Sequence, residues 1–230
     1  MKKKVQTALV IGMIFLSANT FGQTTQWGSE KVNNGNVTET YFDILLNLVS
    51  TNFNYGKANS SLSDYKKPSP GIQVGVSFQA GITPAFSLVS ELYFMKQGST
   101  LKAGNPITNS KTTFSMSALE LPVMARFHFG KFYVNAGPSI AYNLCGSWKT
   151  DGVSTPIPFK NSDQSFKRWD AAIQMGAGYE FQIKQKRVGL DIRYVYGLTN
   201  ISNGQEMYNR SIVISVHCAA PWKTNPLGRK

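Results

Sequence analysis

Gly71-Ile72-Gln73-Val74-Gly75-Val76-Ser77-Phe78-Gln79-Ala80-Gly81-Ile82 alternates without a break: Ile, Val, Val, Phe, Ala and Ile at every second position, with Gly, Gln and Ser between them. Period two is the signature of an extended strand with one greasy and one wet face. Strands of soluble proteins average about 5 to 6 residues. A dozen is long for a soluble sheet and suits a tilted strand that crosses a membrane.

The same alternation returns along the chain. It appears at Phe86, Leu88, Leu92 and Phe94, then at Leu119, Leu121, Val123, Ala125 and Phe127, then at Phe132, Val134, Ala136, Ile140 and Tyr142. It recurs at Trp169, Ala171, Ile173, Met175, Ala177 and Tyr179, and at Val188, Leu190, Ile192, Tyr194 and Tyr196. A first strand near Tyr41 and a last ending at Cys218 complete eight segments: 41–54, 70–83, 85–98, 112–129, 131–145, 164–183, 187–200 and 208–218. Leu45 and Leu46 stand side by side, so the phase of the first strand is open. The expectation is an all-β chain, a single antiparallel transmembrane β-barrel of about eight strands over residues 41–218, since closure with an even count leaves no unpaired edge.

The connections agree. Thr83-Pro84, Gly130-Lys131 and Lys184 to Lys186 are short, whereas 55–69, 99–111, 146–163 and 201–207 are longer and hold Gly, Asn, Ser and Pro, residues that favour turns over strands. Outer-membrane barrels place short turns in the periplasm and long loops outside. Both ends of the barrel then face the periplasm.

Residues 1–22 read as a signal peptide: Lys2, Lys3 and Lys4 precede the apolar run Ala8 to Leu16, with cleavage after Gly22 or Thr20. That run is too short to span a bilayer as a helix. Residues 23–40 are polar and aperiodic, a flexible periplasmic lead-in, and 219–230 form a basic periplasmic tail. The formal charge of +12 falls to about +9 once the three leading lysines are removed. An exported chain meets no nucleic acid, so outer-membrane lipid with its phosphates is the expected partner, along with envelope or secretion proteins. Two cysteines are too few for a disulfide framework. Cys145 falls near the outer rim and Cys218 near the periplasmic rim, so each is expected as a free thiol.

No pattern specifies chemistry. His128 and His217 stand apart among apolar neighbours, and no Ser, His and Asp set, metal-ligand spacing or phosphate-binding loop occurs. We therefore expect no catalytic residues, no metal and no cofactor. The inward phase does carry charge: Glu91 and Arg126 are expected to pair on adjoining strands, and Arg193 to pair with Glu180, with Asp191 alongside. An eight-strand lumen is filled by side chains, so its charges must neutralise one another. Two readings are open, an ion path and a structural ion-pair plug. Phe132, Tyr133, Tyr179 and Phe181 below, with Tyr142, Trp148, Trp169 and Tyr196 above, are expected at the membrane interfaces.

Ser90-Glu91-Leu92-Tyr93-Phe94 with Gly98, Leu119-Glu120-Leu121-Pro122-Val123 with Arg126 and Gly130, Asn135-Ala136-Gly137-Pro138, Gly176-Ala177-Gly178-Tyr179-Glu180 and Asp191-Ile192-Arg193-Tyr194 with Gly197-Leu198 follow in an order that resembles the PorT-like family of outer-membrane β-barrel proteins. The resemblance implies an eight-stranded barrel in the outer membrane, with a role in protein secretion for some members. The leading expectation is a barrel without enzymatic activity that works through its loops or periplasmic turns. The alternatives are a component of a secretion apparatus, as the resemblance implies, and a lipocalin-like barrel that binds an apolar ligand, which requires its apolar face inside.

Overall fold

The computed structural model describes residues 40–159, 162, 165–183 and 186–221. The expected signal peptide, the lead-in up to Glu39 and the tail from Trp222 onward lie outside the described residues.

Nine strands follow one another: β1 (Tyr41–Tyr55), β2 (Lys66–Thr83), β3 (Phe86–Leu101), β4 (Thr112–Phe129), β5 (Phe132–Thr150), β6 (Val153–Pro156), β7 (Trp169–Ile183), β8 (Lys186–Gly197) and β9 (Met207–Pro221). A short 3-10 helix, Lys57–Leu62, lies between β1 and β2. The sheet runs β4-β3-β2-β1-β9-β8-β7-β5-β6, and β4 also pairs with β5. That last pairing closes eight long strands into an antiparallel barrel, and β6 only extends the β5 end. The closing seam is β1 on β9, in register from Tyr41↔Pro221 to Tyr55↔Met207. The first three residues expected in the tail, Ala219 to Pro221, therefore belong to β9.

The faces are sorted inside out relative to a soluble barrel. Ile72 is 46% exposed and Gln73 2%, and the same contrast runs along every long strand. Apolar residues thus form a belt facing lipid, and polar residues fill the lumen. This excludes the lipocalin-like arrangement. The ten steps from Ile72 to Ile82, at ~3.3 Å each and a tilt near 40°, project to about 25 Å, the height of such a belt.

In β1 the phase left open by the two leucines is settled: Leu45 is fully buried inside and Leu46 is 50% exposed. Asp43, Asn47 and Thr51 share the inward face with Leu45.

Strands overrun their expected limits on the outer side, where β2 starts at Lys66, β3 reaches Leu101 and β5 reaches Thr150. Above the belt no face meets lipid, so the hydrophobic alternation fades while the backbone ladder continues. Residues 165–168, expected in strand, are not part of β7, and residue 164 lies outside the described residues.

The β2–β3 ladder shifts register twice, next to the turn between Gly81 and Thr83 and at the outer side, where Pro68 pairs with Ser99 and Ile72 with Lys96, which leaves three residues opposite two. Pro70 has no N–H to offer there. Thr51 of β1 covers the gap, its hydroxyl accepting from the Gly98 N–H at 2.9 Å.

Candidate functional site

The lumen is built in three levels. At the periplasmic end, Arg187 of β8 donates to both oxygens of Asp43 at 3.0 and 3.3 Å, to Glu180 at 2.8 Å and to Gln79 at 3.1 Å. Arg126 of β4 donates to the same Gln79 oxygen at 2.9 Å and lies 3.5 Å from Glu180. Its guanidinium stacks over the Tyr133 ring, 4.1 Å from the centroid, a cation held against a π face.

Above this, Arg193 of β8 grips both Glu91 oxygens, Nη1 at 2.6 Å and Nη2 at 2.9 Å. Its Nε and Nη2 also donate to the two oxygens of Asp191, at 2.9 and 3.0 Å. Tyr133 donates its hydroxyl to Asp191 at 2.9 Å, and His217 Nε2 stands 2.9 Å from the same oxygen. His217 Nδ1 lies 3.6 Å from Asp43. The two levels are thereby one continuous network. Gly178 makes room for it: a Cβ there would stand 2.3 Å from the Tyr133 ring.

Higher still the groups are uncharged or acidic. Gln174 donates to Glu120 at 2.7 Å and to the Tyr93 hydroxyl at 2.8 Å, while Asp170 accepts from Thr199 at 2.6 Å and from Asn209. The outer end is apolar. Phe53, Leu62, Leu101, Met116, Ile157, Phe166, Ile201 and Met207 form one buried cluster, with Tyr65, Phe114, Trp148 and Phe159 packed against it. Leu62, Ile157, Phe166 and Ile201 come from the outer connections, so these fold over and into the barrel end as a cap.

All five inward charged residues singled out from sequence sit in this lumen, but with different partners. Arg126 faces Ser87, four positions along β3 from Glu91, and Glu180 faces Gly189 while Arg193 faces Gly176. Glu91 and Arg193 meet instead across the barrel, because β3 and β8 are diametrically opposed in the ring of eight. Strand tilt staggers neighbouring strands, so equal distance from a turn does not mean equal register.

Asp43, Arg187 and the linking role of His217 had gone unread. Arg187 shares the period-two phase of Asp191 and Arg193, a signal masked by its closeness to a turn, and Asp43 was hidden by the undecided phase of β1. Tyr133 is a lumen residue and not an interface aromatic, since it is odd-numbered where the outward face of β5 is even. Trp148 packs on the cap, above the belt. On the lipid side Phe132 and Tyr179 stack at 4.7 Å, as do Tyr142 and Trp169 at 4.9 Å.

Every guanidinium of the network is matched by a carboxylate, so the arrangement holds charge in place. Among the described residues no group of three or more His, Cys, Asp or Glu is placed to hold a metal ion. Cys145 and Cys218 are both free and exposed.

Residues 46–203 match the family model described as the outer membrane protein beta-barrel domain. No curated protein sequence matches the chain. Among solved structures, Ail, the attachment invasion locus protein of Yersinia pestis, in complex with the heparin analogue sucrose octasulfate, is 10% identical, with 80% of this chain and 99% of that one covered at a TM-score of 0.43. Neisserial surface protein A is 12% identical over 79% and 97% at 0.45, and OprG from Pseudomonas aeruginosa 9% identical over 83% and 99% at 0.44. The matched family is the broad one, and the PorT-like subdivision rests on the sequence resemblance alone.

Proposed function

Because the chain belongs to the outer membrane protein β-barrel domain family and so resides in the outer membrane, we propose that it is a closed barrel, without enzymatic activity, that acts as an interaction protein through its outer connections. The observation that carries this reading is the filled lumen. Arg193 and Glu91 meet across the bore, and the apolar cap packs into its outer end, both of which argue against a wet path for ions or solutes. The ion-pair plug is thereby preferred to the ion path.

Planar-bilayer recording of the purified barrel tests it. No stepwise conductance is expected, and defined unitary currents would overturn the reading.

The surface charge fits an anionic lipid partner. Arg210 lies over the Tyr196 ring at 3.5 Å and Arg168 near Tyr142 at 5.7 Å, so both hold a cation beside the outer aromatic girdle, where lipid phosphates sit. Residues 1–22 serve as the export signal in this reading, which N-terminal sequencing of the membrane-extracted protein checks. A second reading, a component of a secretion apparatus, is supported by the PorT-like resemblance. A deletion strain with normal secreted proteins would reject it.

A further inference from the structure

We infer that the outer end of the barrel carries a binding pocket for an uncharged pyranose sugar. The inference rests on the reading of a closed barrel that acts outward, and it supplies the class of ligand.

Where β4 and β5 rise above the belt, two cross-strand pairs follow one another on the inner wall: Thr112↔Thr150 and, one step deeper, Phe114↔Trp148. They border a cavity of about 340 Å³ completed by Phe166, Met207 and polar residues of the outer connections. This lies at the small end of ligand sites, which run from about 300 to 1,000 Å³, with room for a mono- or disaccharide.

The floor is aromatic and held firmly. The Phe114 ring packs edge-on against Phe53 at 5.8 Å and at a tilt against Phe166 at 6.2 Å, and both belong to the cap.

The rim is a row of hydroxyls. Thr108 and Thr112 lie 2.9 Å apart, as do Thr112 and Thr150. Each hydroxyl has one donor and two acceptor positions; Thr108 uses its positions on Asn105, the Ser110 carbonyl and Thr112, so the chain meets a guest chiefly at its Thr150 end. The loop that brings Thr108 there is prebuilt by Asn105, which is buried, accepts from the N–H groups of Ile107 and Thr108, and donates to Lys102 and Ser110 carbonyls. Such preorganisation lowers the entropic cost of binding.

Among the described residues, the cavity lining contains no ionisable side chain. A charged ligand would find no counterion, and a purely apolar one would strand the threonine hydroxyls without water. A pyranose satisfies both surfaces, its C–H face lying on Phe114 and Trp148 and its hydroxyl edge meeting the threonines. Ile107 and Thr108 at the lip are exposed, so the pocket opens outward, while the cap divides it from the lumen.

Isothermal calorimetry on the full-length barrel, in a zwitterionic detergent free of sugar headgroups, tests this with methyl glucoside, methyl galactoside and methyl mannoside. Saturable millimolar binding of at least one is expected. The Thr112→Val, Thr150→Val double variant should weaken it about tenfold by removing two hydrogen-bonding hydroxyls at constant shape, with Trp148→Ala weakening it as well. Heat-dependent gel mobility confirms that each variant folds. No saturable binding of any glycoside, unchanged binding by the folded double valine variant, or saturable binding of octanol alone would overturn the proposal. A barrel that binds no sugar and still conducts no current loses this inference and keeps the functional reading, whereas unitary currents strike the reading itself. Competition by delipidated oligosaccharide from the cell's own envelope would identify membrane glycan as the source, and competition by dextran alone an external saccharide.

Discussion

At the scale of single residues, the lumen is governed by the rule that one unpaired buried charge is worse than none. Arg193 holds Glu91 and Asp191 at once, so Arg193→Met leaves two carboxylates facing each other. It should cost about 3 to 5 kcal/mol, and Glu91→Gln combined with Arg193→Met should cost less than the sum of the singles. Urea titration of a double-mutant cycle reads the coupling. Zero coupling there, or strong coupling between Glu91 and Arg126, would contradict the cross-lumen pairing. This is also the scale at which the sequence was least legible. Period two puts Glu91, Arg126, Glu180, Asp191 and Arg193 on the inward face, yet it offers partners only on adjoining strands, because nothing in a linear pattern shows which strands face each other across a bore.

At the scale of elements, sequence and structure agree best where lipid enforces the alternation. The run from Gly71 to Ile82 could be read directly because a one-residue slip would turn six apolar side chains into the lumen and their polar neighbours into hydrocarbon. Beyond the belt that constraint ends, which is why Lys66 to Ser69 and Gly146 to Thr150 read as loop in the sequence although both are strand. Leu121 and Ile140 face one another across β4 and β5 on the lipid side. Arginine at either should cost about 2 to 4 kcal/mol if the pair lies near the midplane, measured by reversible unfolding in lipid or detergent. Equal tolerance of arginine at both would mean that the outward face has been misassigned.

At the scale of the molecule, the closed hydrogen-bonded ring predicts a gel mobility that changes on boiling, because detergent alone does not open a sheet without edges. A mobility identical before and after heating would argue against closure. The adjacency of β1 and β9 makes a second forecast: joining the two ends by a flexible linker and opening the chain at Gly130-Lys131 should yield a circular permutant that still shows the heat-dependent shift. Gly130 is exposed at a tight turn with φ of 65°, and such sites tolerate new termini best. A permutant that never acquires the shift would mean that chain order itself is needed for insertion.

The same seam dictates a timetable. Asp43 and Arg187 are 144 residues apart in the chain, and at ~5 to 20 residues per second the ribosome finishes the second about 7 to 30 seconds after the first. His217 comes later still. Throughout that interval β1 can pair with β2 but lacks its other neighbour, β9, and the arginine that pairs with its carboxylate, so early folding of the leading segment leaves one strand edge open. The ring can close only when its last strand arrives, so the first strand is the one that waits longest for its partner.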